Sequence, residues 1–347
     1  MKQAQDVIAT FYGEFACTAG PRVANVRRNA RRSPARRASP QRPGTGDVRG
    51  GPGVTPDDVI ARSQVSVVVA TRDRRAELAR TLGRLTALRP RPPVIVVDNA
   101  SSDGTSAFAR RMFPDVTVVT LPENRGAAAR NVGVELAETP YVAFSDDDSW
   151  WEPGALERAA AVLGAHPRLG LVAAAVLVGD AARPDPVNEL LAGGLPAGPG
   201  PVPGPRVLGF LACAAVVRRA AFRQVGGFSD LLFFCGEEAL LAQDLTAAGW
   251  ECRHLPEVRA HHHPSRHRPP GGWRRRLERR NTVLTAWLRR PLRRATAETL
   301  GLARDAAADR DARRALAGAL RRLPAAVLDR RPLPRPVERD LRLLEAR

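Results

Sequence analysis

The folding options of this chain are narrowed most by a series of short apolar runs, each separated from the next by a helix-like segment. Val65-Ser66-Val67-Val68-Val69-Ala70 is a β-branched run of strand length. Residues 75–88 follow, with Leu78, Leu82, Leu85 and Leu88 at helical spacing. Val94-Ile95-Val96-Val97 reads as a second strand ending at Asp98, and residues 104–112 as a helix. Residues 116–119 read as a third strand, 126–138 as another helix and 141–144 as a fourth strand. Strands that are apolar throughout need cover on both faces, and strand–helix alternation supplies it. The expected fold is α/β: a doubly wound, mostly parallel sheet with helices on both faces. Ligands of such sheets collect at the carboxyl ends of the strands. Asp98 and the run Asp146-Asp147-Asp148 both fall at such ends.

Three consecutive carboxylates after Tyr141-Val142-Ala143-Phe144 repel one another, and the arrangement is costly unless a cation shares it. Hard divalent cations prefer oxygen ligands, and magnesium is held by one or two carboxylates plus substrate phosphates. The triplet therefore reads as a metal–diphosphate site. Alone it would favour a solvated turn, with Asp148-Ser149 capping the next helix; the motifs around it reverse that.

Net charge is +18, but it is unevenly spread. Residues 1–63 hold 11 basic and 5 acidic side chains, and residues 271–347 hold 21 and 9. Residues 64–270 hold 22 of each. A nucleic-acid reader carries its basic patch on the folded domain, so no specific nucleic-acid partner is expected. Lys2 is the one lysine, against 53 arginines. That bias follows coding composition, and single arginines carry little information. Cys17, Cys213, Cys235 and Cys252 form no close-spaced pair, which fits a reducing compartment. No apolar stretch approaches the roughly 20 residues of a membrane span, and the N-terminus lacks the order of a signal peptide. A cytoplasmic protein is expected, with peripheral attachment to the inner face of the membrane as an option. Residues 1–63, rich in Arg, Pro, Gly and Ser, read as a disordered basic tail.

Four motifs stand in order along the first half. Thr71-Arg72-Asp73-Arg74 closes the first strand, and Asp98-Asn99-Ala100-Ser101-Ser102-Asp103-Gly104 the second. Glu123-Asn124-Arg125-Gly126 and Arg130-Asn131-Val132-Gly133 precede the aspartate triplet. This order resembles the nucleotide-sugar half of glycosyltransferase family 2, inverting enzymes of the GT-A fold. The resemblance runs from about residue 65 to 291, and its motifs are moderately specific singly and strong together. It divides residues 64–270, as a catalytic domain, into a nucleotide-sugar half (64–155) and an acceptor half (156–270). An Arg-rich helical region (271–347) follows.

The resemblance implies transfer of a sugar from a nucleoside-diphosphate-sugar donor to a hydroxyl acceptor, which is a glycan, glycolipid or small molecule. It implies a divalent cation, Mn2+ or Mg2+. Thr71 and Asp98 would meet the nucleoside, with Asp98 accepting a hydrogen bond from the base; Asp103 is read as a helix cap. Arg125 would neutralise diphosphate, whereas Arg130 is expected to pair with acidic neighbours. Asn131 would touch the ribose or brace the strand of Asp146. In the family's Asp-x-Asp pattern, Asp146 meets the ribose or metal-bound water and Asp148 the metal itself. Asp147, between them, is expected to face away.

In the second half, Gly226-Gly227-Phe228-Ser229-Asp230 and Gly236-Glu237-Glu238 resemble the family's acceptor segment and the helix start bearing its base. Leu240 stands where a second aspartate is common. Glu238 is the expected base, with Glu237 open as the alternative. His261-His262-His263 follows, and consecutive residues of an extended chain alternate sides. At most two can face one ion; His262 is the expected one, with His261 or His263 as the alternative. Arg279-Arg280-Asn281 also matches the family, without an evident role. The segment at 179–206 is long for a loop and is either functional or mobile. Leu316, Leu320 and Leu323 share one helical face in the basic C-terminal region. That face would dock on an anionic membrane or pack against the catalytic domain. A nucleotidyltransferase would want a Gly-rich loop after the first strand, and a dehydrogenase G-x-G-x-x-G; neither is present.

Overall fold

The computed structural model describes residues 63–198, 200–265 and 271–346. The expected N-terminal tail lies outside the described residues except for Ser63. Strand β1 (Val65–Thr71), helix α1 (Arg75–Thr86), β2 (Val94–Asp98), α2 (Thr105–Met112), β3 (Thr117–Thr120), α3 (Ala129–Leu136) and β4 (Tyr141–Asp146) follow the expected alternation. These strands lie in the order β3-β2-β1-β4, all parallel. Their register sets Thr71 beside Asp98 and Ala70 beside Asp146, so the three strand ends finish level. Val67, Val68, Val69, Val96, Val97 and Phe144 are buried, as a doubly covered sheet requires. Helix α3 sits directly on this sheet because Gly133 has no side chain. A Cβ there would lie 2.4 Å from Cγ1 of Val68.

The second half comprises β5 (Ser149–Trp151), α4 (Ala155–Ala165), β6 (Leu169–Val178), β7 (Arg183–Pro184), α5 (Val187–Ala192), β8 (Ala215–Arg218), α6 (Arg219–Val225), α7 (Glu237–Ala247) and β9 (Glu251–His262). Here the sheet is mixed. Strand β8 lies antiparallel between β4 and β6, β9 pairs parallel with β6, and β5 and β7 pair antiparallel with β9 and β6. Antiparallel neighbours need no crossover helix, and the link from β6 to β8 carries only short elements. The expected long loop at 179–206 thus contains β7, α5 and a bridge between Leu195 and Arg206.

Helices α8 (Gly271–Arg289), α9 (Leu292–Ala306), α10 (Arg310–Leu328) and α11 (Arg335–Glu345) complete the chain. They pack on the sheet domain: Leu284 and Leu288 of α8 join Leu232 and Leu240, and Val337 and Leu341 of α11 join Leu195 and Leu208. The buried face of α10 differs from the expected leucine stripe. It consists of Ala312, Ala315, Gly318, Ala319 and Ala326, while Leu320 is exposed. Small residues let α10 approach α8 closely enough for Arg280 to lie over Gly318. Among the described residues, no helix is long and apolar enough to cross a membrane.

Candidate active site

The ends of β1, β2 and β4 open into loops that hold one another. Asp73 and Ala100 adopt left-handed conformations (φ 50° and 61°), which non-glycine residues keep only when their surroundings insist. The Asp73 N–H donates to Ser101 Oγ (2.9 Å), and the Ser102 N–H donates to Asp73 Oδ1 (2.6 Å). This brace sets Arg74, at the entrance to α1, against the aspartate triplet. Its Nη1 lies 3.3 Å from Asp147 Oδ1 and 3.3 Å from Asp148 Oδ2. Arg74 is 5% exposed. The triplet therefore has a protein cation built into it.

Asp147 does not face away as expected. It is buried and accepts a hydrogen bond from Thr71 Oγ1 at 3.1 Å, while its backbone oxygen accepts from Thr81 Oγ1 at 2.8 Å. The interior holds Asp147 because Thr71 and Arg74 are there to satisfy it. Burial pushes its carboxyl well above the usual range, against the pull of Arg74. Asp148 differs. Burial opposes its ionisation too, but His262, Arg74 and the Ser265 N–H outweigh that and hold its carboxyl below the usual range.

The three histidines alternate as the extended chain of β9 demands. His262 is buried with Nε2 3.4 Å from Asp148 Oδ1. His261 and His263 face the opposite side, where both rings lie against Trp150, at 5.8 and 4.8 Å between centroids. His261 also pairs with Glu152 and His263 with Asp180.

Among the described residues, no group of three or more His, Cys, Asp or Glu side chains forms a ready-made metal cluster. Two of the expected ligands nevertheless fit one. With ligand bonds of about 2.1 Å, adjacent ligands of one divalent ion stand roughly 3 Å or slightly more apart. The 3.4 Å between Asp148 Oδ1 and His262 Nε2 matches that separation. Asp146 is otherwise engaged: its Oδ1 accepts from Arg130 Nη2.

Arg130, on α3, links the two halves of the site. It is buried, and its guanidinium feels Asp146, Glu237 and Glu238 together. Burial works against its charge, yet these carboxylates raise its pKa above the normal arginine value. The expected pairing of Arg130 with acidic neighbours is what the geometry shows. Glu237 and Glu238 open α7, where carboxylates suit the helix dipole. One carboxylate oxygen of each, Oε2, is buried without a hydrogen-bond partner. Burial raises both carboxyls, Glu237 the further, with Glu238 adding to it. Glu237 is 2% exposed and Glu238 is half-buried, so Glu238 is the more open of the pair.

The other expected donor residues are placed as follows. Thr71 is buried and bonded to Asp147. Asp98 is buried, and its carboxylate accepts from the Ser101 N–H (2.8 Å) and from Ser106 Oγ, so it holds the loop after β2. Asp103 accepts from the Thr105 N–H (3.0 Å) at the start of α2. Arg125 stands at the rim, paired with Asp230 at 2.7 Å. Asn131 braces a different segment from the one expected. Its Nδ2 donates to Phe228 O (2.8 Å) and its Oδ1 accepts from the Phe228 N–H (2.9 Å). With both ends of the amide on Phe228, it fixes the Gly226-Gly227-Phe228 turn rather than β4. Arg74 was not singled out in the sequence. The signal was its place three residues after Thr71, obscured by an arginine-rich composition.

Residues 66–226 match the model of glycosyl transferase family 2. That stretch includes the aspartate triplet and ends before Glu237. An N-acetylglucosaminyl-diphospho-decaprenol L-rhamnosyltransferase of Mycobacterium tuberculosis is 28% identical over 232 residues, covering 57% of this chain and 75% of the relative. A pre-mycofactocin glycosyltransferase of the same species is 33% identical over 213 residues, which are 57% of this chain and 43% of the relative. A mannosyltransferase from Pyrobaculum calidifontis, solved with GDP-Man and Mn2+, superposes with a TM-score of 0.51 at 21% identity. The superposition covers 82% of this chain and 84% of that one, and establishes the GT-A-type fold. With the motifs of β1, β2 and β4 gathered at one sheet edge, residues 66–226 are similar to glycosyl transferase family 2, and the chain is a glycosyltransferase.

Proposed function

We propose that the enzyme moves a sugar from a nucleoside-diphosphate-sugar to a hydroxyl acceptor with inversion, assisted by a divalent cation and using Glu238 as general base. The observation that carries this reading is the charge of the crevice. Five carboxylates (Asp146, Asp147, Asp148, Glu237, Glu238) face the guanidiniums of Arg74 and Arg130, with Arg274 also acting on Glu238. Such an excess of buried negative charge calls for protons or a further cation. Asp148 and His262 would hold a divalent ion, leaving its other positions for the donor diphosphate and water. When bound, the ion would neutralise charge on the departing diphosphate.

The chain's own groups supply the rest. Glu238, with an unpartnered oxygen and a raised pKa, accepts the acceptor's proton as its oxygen attacks the anomeric carbon. Glu237 lies behind it. Arg130 pairs with Asp146 and compensates the glutamates. Thr71 and Asp98 shape the nucleoside end, and Arg125 at the rim can leave Asp230 for phosphate.

The acceptor is of the lipid-linked or polysaccharide class, in line with the relative that is named for a decaprenol diphosphate. Peripheral attachment to an anionic membrane suits such an acceptor. Two of the acidic residues that would weaken it are paired, Asp309 with Arg279 and Asp311 with Arg276, while Asp305 stays exposed. Arg313, Arg314, Leu320, Arg321 and Leu328 remain exposed on α10. Each such arginine near the surface contributes about 1 kcal/mol.

The test is release of nucleoside diphosphate from UDP-glucose, UDP-N-acetylglucosamine, GDP-mannose and dTDP-rhamnose, with manganese and with EDTA. Turnover of one donor that EDTA abolishes is expected; a metal-independent rate equal to that with manganese refutes the cation's role. Pelleting with phosphatidylglycerol vesicles at low salt tests attachment, and absence of pelleting refutes it.

A further inference from the structure

The turn that leads into α7 is held in an unusual backbone conformation chiefly by one residue of α8. Phe233 and Cys235 have φ of 65° and 72°, and Gly236 has 91°. Two non-glycine residues in the left-handed region persist only where the surroundings over-determine them. The surroundings here are chiefly Asn281, which is 1% exposed. Its Nδ2 lies within hydrogen-bond distance of three carbonyls of the turn: Leu232 O (3.0 Å), Phe234 O (2.7 Å) and Cys235 O (2.5 Å). Its Oδ1 accepts from Arg280 Nε (2.8 Å), and Arg280 Nη2 reaches Leu232 O (2.5 Å). The opposite side of the turn is held by the segment that enters α3. The Ala127 N–H donates to Phe233 O (2.7 Å), an approach that only glycine at 126 permits, since a Cβ there would lie 2.0 Å from the same oxygen.

We propose that Asn281, oriented by Arg280, is a positioning residue: it clamps the 232–235 turn and thereby fixes where α7 presents Glu237 and Glu238 to Arg130 and Asp146. The role in turnover rests on the function proposed above; the clamp itself does not. The attachment of α7 to α8 has other supports. Arg289 forms a two-pronged pair with Asp244, and Leu240 packs with Leu284 and Leu288. Loss of Asn281 therefore frees the turn while leaving the helices docked.

Asn281→Asp is nearly isosteric and replaces the donating amide with an oxygen that faces three carbonyls. Asn281→Ser keeps one donor and covers the case in which the aspartate variant fails to fold. Leu284→Ala, buried on the same helix, removes side-chain packing on Leu232 and Leu240 and none of the turn's hydrogen bonds given above, and is the control. In the full chain, hydrogen–deuterium exchange of amides 231–237 should quicken more than about tenfold in the Asn281 variants, with β1 and β4 unchanged. With the best donor and manganese, kcat should fall more than about tenfold while donor KM stays within twofold. Leu284→Ala should lower Tm without that split. Unchanged exchange at 231–237, or a kcat loss no larger than that of Leu284→Ala, overturns the proposal. If the wild type turns over no donor, the proposed function fails, and the exchange measurement still decides the clamp.

Discussion

Replacing Arg130 with methionine keeps an unbranched side chain and removes the cation that three carboxylates share. Arg130 is buried, bonded to Asp146 and close enough to Glu237 and Glu238 for their charges to raise its pKa. Its guanidinium also lies 5.9 Å from the centroid of the Phe228 ring. Removing one partner of a buried ion pair costs about 3–5 kcal/mol, because the other charge stays buried and uncompensated. At roughly 2 °C per kcal/mol for a domain of this size, Tm should fall by about 6–10 °C at pH 8. The loss should shrink in acid. Glu237 and Glu238 already have folded pKa values above the unfolded one. A carboxyl of that kind binds more protons folded than unfolded, so its contribution to stability is present at low pH. That contribution is lost as pH rises from the unfolded value, about 4.3, through the folded one. Without Arg130 both values rise further, so the penalty at pH 8 exceeds that at pH 5. Urea unfolding followed by far-UV circular dichroism at the two pH values measures the difference. An equal penalty at both, or one under about 1 kcal/mol at pH 8, would refute this account of Arg130.

Two predictions concern the chemistry. Asp148→Asn should weaken manganese-dependent binding of nucleoside diphosphate by more than about 100-fold in calorimetry, since a direct ligand matters more than the outer partners that cost 10–100-fold; wild-type affinity in the variant would remove Asp148 from the metal site. Glu238→Gln should keep donor affinity and lower kcat by about 10²–10⁴-fold, the contribution of a general base, with Glu237→Gln milder. A reversed ranking would move the base to Glu237, and full activity in both would end the mechanism.

What the sequence determined by itself is what neighbouring residues encode. The apolar runs became β1, β2 and β4, the leucines at 78, 82 and 85 became the buried face of α1, and the strand ends fell at Thr71, Asp98 and Asp146. The alternation of an extended chain was enough to separate His262 from His261 and His263. These features follow from periods of two and 3.6 residues, which are local. The partners of the polar groups are not local. Arg74 and Asp147 are 73 residues apart, Asn131 and Phe228 97, and Asn281 and Leu232 49. Which of many arginines neutralises the aspartates, which backbone Asn131 braces and which turn Asn281 clamps depend on where remote segments come to rest. The same holds for α10: its leucines have helical spacing, yet the close approach of α8 buried its alanines with Leu316 beside them and left Leu320 exposed. Burial then decides the ionisation of adjacent carboxylates. Asp147 and Asp148 are chemically alike in the sequence, and only their separate partners in the folded interior push one pKa up and the other down.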